Sequence, residues 1–172
     1  MRICFWAGPC SGKSTIAAKL FADLKIKGYS CELICEYIKQ WAYLNRIPKS
    51  FDQCYIFGQQ MHSEDLVFQC GVEHLITDSP LLMQPYYSKN SVFYEDLLNI
   101  GKKYEFVHPS LNIFLNRTCI EYQPRGRWET ADQAIKRDME MLDYLNENQI
   151  NYKVFKTTEY DKILSYVESN LK

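Results

Sequence analysis

A short glycine-containing turn between an apolar segment and a helix constrains this chain of 172 residues more than any other feature. Residues 3–7 form an apolar run, which is typical of a strand buried on both faces. After the turn, Ile16, Leu20 and Leu24 recur at helical spacing, and Gly28 is the expected helix end. A strand, a tight turn and a helix in this order predict an anion-binding nest at the helix N-terminus.

The turn, residues 7–15, matches the P-loop pattern GxxxxGK[ST], with Ala7 in place of the first glycine as a tolerated variant. In this pattern Gly12 lets the backbone approach phosphates, Lys13 reaches the β- and γ-phosphates of ATP, and the Ser14 hydroxyl ligates Mg²⁺. We expect Cys10 to act as a spacer rather than as a catalytic thiol. The expected nucleotide-binding residues of the turn are Gly8, Pro9, Cys10, Ser11, Gly12, Lys13, Ser14 and Thr15.

The rest of the chain alternates strand and helix signals. Further strands are expected at residues 31–35, 74–78, 111–115 and 152–156. Further helices are expected at residues 37–46, 52–70, 91–104, 131–148 and 160–171. The spacing of Ile135, Met139 and Leu142 predicts the apolar face of the helix at 131–148.

This alternation predicts an α/β fold with a five-stranded parallel sheet, strand order 2-3-1-4-5 and helices on both faces, the three-layer P-loop NTPase architecture. No linker or internal repeat divides the sequence, so residues 1–172 are expected to form one domain.

Composition narrows the classes of function. Hydrophobic residues make up 47% and charged residues 24%, which is typical of a folded globular domain, and the net charge of -1 gives no general basic excess for binding nucleic acid. No apolar run has membrane-spanning length, and we expect neither a signal peptide nor an anchor. The seven cysteines form no CxxC pair, which favours reduced thiols and a cytoplasmic location over disulfides or a zinc site.

Asp78 ends the expected strand at 74–78. In P-loop proteins a carboxylate at this place orients Mg²⁺ or its water. The next residue is Ser79 rather than the glutamate with which many motor ATPases polarise water, and this favours transfer to a substrate hydroxyl over hydrolysis. The alternative role for Asp78 is a helix N-cap or turn residue before Pro80.

In its motifs and element order, the chain resembles the P-loop kinases, and most closely the nucleoside and nucleotide kinases. In deoxynucleoside kinases a glutamate at the end of the second strand is the base for the sugar hydroxyl, and a tryptophan five residues later lines the nucleoside pocket. Glu36 and Trp41 resemble that pair, although Tyr37 stands where proline is usual. The resemblance implies that Glu36 is the base and binds substrate, and that Asp78 is the acid on the metal side. The reverse assignment of the two carboxylates stays open.

Arginines follow the fourth expected strand. Arg117, Arg125 and Arg127 lie in and beside residues 117–129, where small P-loop kinases carry an arginine-bearing lid. The resemblance implies that Arg125 and Arg127 are catalytic, because arginine stabilises charge on the phosphoryl group in transfer. Arg117 is expected to contact the nucleotide. The alternative is an exposed basic loop without a catalytic role.

The acceptor pocket is expected beside Asp78. Gln59 or Gln60, on the helix at 52–70, would read a base edge by hydrogen bonds. Aromatic residues that follow Asp78 are expected to line the pocket, namely Tyr86, Tyr87, Phe93 and Tyr94.

Residues 78–82 together with the Pro-Arg-Gly-Arg segment at 124–127 also resemble small phage-type P-loop kinases, some of which phosphorylate hydroxymethyluracil within DNA. The expected function is therefore transfer of the γ-phosphate from ATP, with Mg²⁺, to a hydroxyl of a nucleoside or nucleotide. A hydroxymethylated base in DNA is a slightly less favoured acceptor than a nucleoside or nucleotide, because the balanced net charge offers no obvious basic groove for DNA. The alternative from another class is an ATP-binding switch or ATPase without a small acceptor.

Overall fold

The computed structural model of this chain describes residues 1–49, 51–117 and 129–171. Strands and helices alternate along these residues. In chain order the elements are β1 (Arg2–Trp6), α1 (Lys13–Ile26), β2 (Cys31–Ile34), α2 (Lys39–Tyr43), α3 (Asp52–Gln69), β3 (His74–Thr77), α4 (Met83–Tyr86), α5 (Tyr94–Val107), β4 (Ser110–Asn116), α6 (Ala131–Glu147), β5 (Lys153–Lys156) and α7 (Tyr160–Glu168).

The five strands form one parallel sheet in the order β2-β3-β1-β4-β5. The predicted strand order and direction are confirmed. In the centre of the sheet, Cys4 of β1 pairs with Thr77 of β3 on one side and with Asn112 of β4 on the other. The turn that leaves β1 therefore lies between the chain segments that follow β3 and β4.

Helices cover both faces of the sheet, as predicted, and β1 shows why its sequence is apolar throughout. Ile3 and Phe5 pack in a core with residues of α1 and α7, whereas Cys4 and Trp6 pack in a second core with residues of α4, α5 and α6. All four side chains are fully buried. Among the described residues, no helix is long and apolar enough to cross a membrane.

The core-facing side of α6 differs from the prediction. Ile135 and Met139 are 51% and 60% exposed, whereas the buried residues of this helix are Ala134, Met141, Tyr144 and Leu145. The Tyr144 hydroxyl donates to the Leu82 carbonyl oxygen over 2.9 Å, which helps to fix the rotation of the helix. The apolar spacing predicted the wrong face of α6, because the side of the helix that faces the core includes a carboxylate, Asp138. This carboxylate contacts the P-loop.

Two smaller differences concern the neighbouring helices. The four-residue helix α4 was not predicted, because so short a segment shows no helical period. Its residues are nevertheless buried and close the core over α5. In α5, Leu97 and Leu98 are buried, but Ile100 is 43% exposed.

A buried ion pair connects β1 to α3. The Arg2 Nε and Glu64 Oε2 atoms are 2.9 Å apart, and the two side chains are 1% and 0% exposed. Arg2 also contacts Glu105 over 3.1 Å, and the Gln60 amide donates to Glu64 over 3.0 Å and to the Thr77 hydroxyl over 3.4 Å. This polar network ties α3 to the strand that leads to Asp78.

We expect the substitution Glu64→Leu to lower the free energy of unfolding by about 3–5 kcal/mol, because it removes a buried partner of the Arg2 guanidinium. The double variant Arg2→Met/Glu64→Leu should recover most of that loss, since no buried charge is left without its partner. Denaturation in urea at constant pH measures both.

The control for this prediction is Glu32→Leu, which breaks the exposed pair with Lys25, where both side chains are 43% exposed. This change should cost at most about 1 kcal/mol. If Glu64→Leu is no less stable than the double variant, the loss of stability does not come from leaving the buried Arg2 guanidinium without its partner.

Candidate active site

The P-loop begins where β1 ends and has two residues in the left-handed backbone region. Gly12, which precedes α1, has φ 88°, and Cys10 has φ 59°. The left-handed region suits glycine and strains other residues, so the backbone of the turn is strained at Cys10. Its expected role as a spacer stays a prediction. The Ser11 hydroxyl is buried and has no hydrogen-bond partner among the described residues. A buried donor in a turn at a helix N-terminus fits a phosphate oxygen.

Lys13 places its ammonium group over the same turn. Its Nζ donates to the Ala7 carbonyl oxygen over 2.6 Å and to the Gly8 carbonyl oxygen over 2.8 Å. The side chain therefore runs back along the loop from the first turn of α1. The charge of the ammonium lies beside the N–H groups of the nest, where it can meet an anion.

Asp78 lies at the meeting point of three chain segments. One carboxylate oxygen, Oδ2, accepts a hydrogen bond from the Ser14 hydroxyl of α1. The other, Oδ1, accepts from the backbone N–H of Glu36 over 3.0 Å, and the Asp78 side chain is 4% exposed. A helix N-cap, the alternative considered from the sequence, would instead accept from backbone N–H groups in the first turn of the helix that follows it.

Ser14 and Asp78 supply oxygen atoms that fit Mg²⁺. This ion is usually held by one or two protein oxygens, with substrate phosphates and water as the other ligands. Within the described ranges, no group of three or more His, Cys, Asp or Glu residues could hold a metal by itself. The donor set is therefore of the kind that completes a magnesium site only together with a bound triphosphate.

A cavity of about 670 Å³ lies between α4, α6, the first turn of α3 and the segments that precede α3 and α5. One of its lining residues, Arg137, neighbours the P-loop, because its Cβ would lie 3.1 Å from a Cβ placed on Gly8. Its volume falls within the range of small-molecule sites. The predicted aromatic residues Tyr86, Tyr87 and Phe93 line it, whereas Tyr94 packs against the core around Trp6. Desolvation raises the pKa of Tyr86 to about 12, so its hydroxyl remains a hydrogen-bond donor at neutral pH.

Tyr87 lines the cavity, and the pKa of its hydroxyl is raised well above its ordinary value, first by desolvation and then by the negative charges of Glu36 and Glu129. The backbone N–H of Glu36 donates to Asp78 Oδ1, so the segment that carries Glu36 lies next to Asp78.

On its other side the P-loop is held by Arg117 and Asp138. Arg117 donates from Nε to Asp138 Oδ2 over 2.8 Å, and from its two terminal nitrogens to the carbonyl oxygens of Pro9 and Cys10 over 2.8 and 3.2 Å. The Gly8 N–H donates to Asp138 Oδ1 over 2.5 Å. Arg117 therefore lies against the nucleotide-binding turn, and its bonds are to the turn itself.

Asp138 is the functional residue that the sequence interpretation missed. A Cβ atom on Gly8 would lie 2.7 Å from the Ala134 carbonyl oxygen and 2.8 Å from Asp138 Oδ1, so glycine is required where α6 packs on the loop. The signal in the sequence was a lone carboxylate four residues after Ala134 and three before Met141, in the middle of a buried stripe. Such a residue needs a polar partner inside the fold.

Other predicted site residues lie apart from the cavity. Trp41 is buried in a small cluster with Ile38 and Ile56, and the Arg46 guanidinium carbon lies 3.5 Å from the centroid of its ring. Trp41 is not among the residues that line the cavity. Its buried position corresponds to a core tryptophan, while a role at the nucleoside stays a prediction.

The two glutamines predicted to read a base are also outside the cavity wall. Gln60 is buried in the network with Glu64 and Thr77, and Gln59 is partly exposed on α3. Gln53 lines the cavity instead. It lies about two helical turns before Gln60 on α3. A role for Gln59 or Gln60 at the base stays a prediction.

Arg125 and Arg127, with most of the predicted lid, lie outside the described residues. Their catalytic role stays a prediction.

No protein-family model and no curated protein sequence matches the chain. Solved structures match it in fold. One is a structure of deoxyadenosine kinase from M. mycoides with the products dCMP and a flexible dCDP bound, with a TM-score of 0.56, 17% identity, and coverage of 98% of this chain and 100% of that one. Another is the crystal structure of APE1195, with a TM-score of 0.51, 17% identity, and coverage of 99% and 94%. This likeness shows a shared fold over the whole chain.

We expect Asp138→Ala to raise the dissociation constant for ATP by about 10- to 100-fold, because the Gly8 N–H and Arg117 lose a charged acceptor. Direct titration of the protein with ATP measures this change. Asp143→Ala, at an exposed position of the same helix, is the matched control and should bind ATP like the unaltered protein. Equal affinity for ATP in the unaltered protein, Asp138→Ala and Asp143→Ala would show that Asp138 does not position the P-loop.

Proposed function

We propose that this protein is an ATP- and Mg²⁺-dependent kinase that transfers the γ-phosphate to a hydroxyl of a nucleoside or nucleotide. The observation that carries the proposal is the position of Asp78, whose carboxylate joins the Ser14 hydroxyl of the P-loop to the backbone N–H of Glu36. We assign the acceptor to the cavity of about 670 Å³, which adjoins the P-loop where Arg137 neighbours Gly8. In open parallel sheets, ligands bind at the carboxyl ends of the strands, where these residues lie. The fold shared with a deoxyadenosine kinase agrees with this class of activity.

The phosphate side of the proposed site belongs to the P-loop. Lys13 and the backbone N–H groups of the turn bind the β- and γ-phosphates, and the buried Ser11 hydroxyl gains a partner there. Ser14 and Asp78 would hold Mg²⁺, which when bound neutralises charge that develops on the phosphates. Arg125 and Arg127, if they close over the site, add further positive charge.

The acceptor side of the proposed site belongs to Glu36. Both oxygens of Asp78 already accept hydrogen bonds from protein groups, which makes Asp78 better suited to the metal side than to proton transfer. We assign to Glu36, which follows β2 and whose backbone N–H donates to Asp78, the role of accepting the proton of the attacking hydroxyl. Tyr87 and its aromatic neighbours bind the acceptor by stacking and exclude water.

The alternative of an ATP-hydrolysing switch has less support. Ser79 occupies the place of a water-polarising glutamate, and its buried hydroxyl accepts a hydrogen bond from the Gln84 amide over 3.1 Å. This serine is therefore engaged in the fold. A cavity with aromatic walls suits a bound acceptor, and a switch does not need one.

The direct experiment follows γ-labelled ATP with and without acceptors. The acceptor panel contains nucleosides, nucleoside monophosphates, nicotinamide riboside and DNA with hydroxymethyluracil. We expect label to move only when an acceptor of the nucleoside class is present, and Lys13→Ala to abolish the transfer, with Lys25→Ala on the exposed side of α1 as the control. Release of inorganic phosphate that no acceptor changes would support the switch, and full turnover by Lys13→Ala would exclude the P-loop from the reaction.

The two carboxylates should respond differently to isosteric substitution. Glu36→Gln should lower kcat by about 10²–10⁴-fold with an unchanged dissociation constant for ATP, because only the proton acceptor is lost. Asp78→Asn should raise the Mg²⁺ concentration needed for half-maximal rate. Steady-state kinetics over a Mg²⁺ series, combined with ATP titration, separates the two. An unaltered kcat in Glu36→Gln would rule out its role as the base.

A further inference from the structure

The wall of the cavity carries an excess of positive charge. Among the described residues, three cationic side chains line it, those of Lys49, Lys89 and Arg137, against one carboxylate, that of Glu140. The chain as a whole has a net charge of -1, so this excess is local. An uncharged nucleoside would make no use of it.

Arg137 retains donors for a ligand in the cavity. Its Nη1 donates to the Tyr86 hydroxyl over 3.2 Å and to Glu140 Oε2 over 3.1 Å, and Tyr86 donates to the same Glu140 oxygen over 2.8 Å. These contacts fix the direction of the side chain. A guanidinium group has five N–H donors, and Arg137 forms its hydrogen bonds within the described residues through Nη1. The remaining donors can form the paired bonds that arginine makes to phosphate.

Lys89 can turn toward the same ligand. Its Nζ is 3.0 Å from Glu147 Oε2, but the two side chains are 37% and 60% exposed. Solvent screens such a pair, so that a phosphate group competes with it easily. Lys89 belongs to the short polar segment between α4 and α5, which lines the cavity over residues 88–91.

The cationic wall also adjoins the P-loop. The Cβ of Arg137 would lie 3.1 Å from a Cβ placed on Gly8, so this part of the wall neighbours the turn proposed to bind ATP.

We propose that the cavity binds a phosphate-bearing nucleotide unit, with its phosphate against Arg137 and Lys89, in preference to a free nucleoside. The inference rests on the proposed kinase activity and specifies its acceptor. The acceptor hydroxyl, on the sugar or the base, forms the new bond to the γ-phosphorus as the bond to the ADP oxygen breaks. The hydroxyl proton passes to Glu36. The phosphate that the acceptor already carries keeps its bonds and serves only to anchor it.

The experiment compares matched acceptors. Deoxynucleosides, including hydroxymethyldeoxyuridine, are each assayed free, as the 5′-monophosphate, and within a short single-stranded oligonucleotide. We expect kcat/KM to be at least about tenfold higher for a phosphate-bearing form than for the free nucleoside. One charge-assisted hydrogen bond to the phosphate is strong enough to produce a difference of this size. The monophosphate and oligonucleotide arms show whether the phosphate belongs to a free nucleotide or to a strand.

Variants then assign the preference to the cavity. Arg137→Gln and Lys89→Gln should each raise KM for the phosphate-bearing acceptor and leave KM for the free nucleoside and for ATP unchanged. Lys103→Gln, at an exposed position of α5, removes the same charge elsewhere and is the control. Because Arg137→Gln also changes the Tyr86 contact, Lys89→Gln provides the test in which the wall stays intact.

The outcomes separate this inference from the proposed function. Equal use of the free and phosphorylated acceptors, or equal effects of the variants on both, would overturn the inference while the kinase activity stands. Transfer to the existing phosphate, seen as a diphosphate product, would also overturn it. Failure to label every acceptor in the panel would instead contradict the proposed function.

Discussion

The carboxylate of Asp78 accepts one hydrogen bond from the P-loop helix and one from the segment after β2, and the rest of the site is arranged around these bonds. They are possible because β1 lies in the centre of the sheet, beside β3. The turn that leaves β1 then begins its helix next to the residue that ends β3. The strand order therefore determines the geometry of the site, because a different order would separate Ser14 from Asp78.

The P-loop is also fixed from its opposite side. Asp138 of α6 accepts from the Gly8 N–H, and Arg117, at the end of β4, bonds both to Asp138 and to the carbonyl oxygens of the turn. Two carboxylates from distant parts of the chain thus hold the two ends of one short loop. Both are nearly buried, where a bond to a charged group is stronger than at the surface. These contacts hold the P-loop in a conformation that is suited to binding an anion.

Much of the fold could be predicted because its signals are local. The apolar strands, the glycine turn and the helical spacing in α1 and α7 each lie within a few neighbouring residues. What could not be predicted depends on contacts between distant segments. The polar residue in the inner stripe of α6 is explained only by its contact with Gly8, which lies 130 residues away in the sequence. Gln60 lies in the buried network with Glu64 and Thr77, while Gln53 lines the cavity, and both positions depend on how α3 packs against the sheet.

The coupling between Ser14 and Asp78 tests this account most directly. A double-mutant cycle with Ser14→Ala, Asp78→Asn and the combined variant would measure the Mg²⁺-dependent free energy of ATP binding. The account predicts that the two substitutions are non-additive by about 0.5–3 kcal/mol, because both residues act on one metal site through one hydrogen bond. Additive effects, within about 0.5 kcal/mol, would contradict it and would separate Asp78 from the nucleotide.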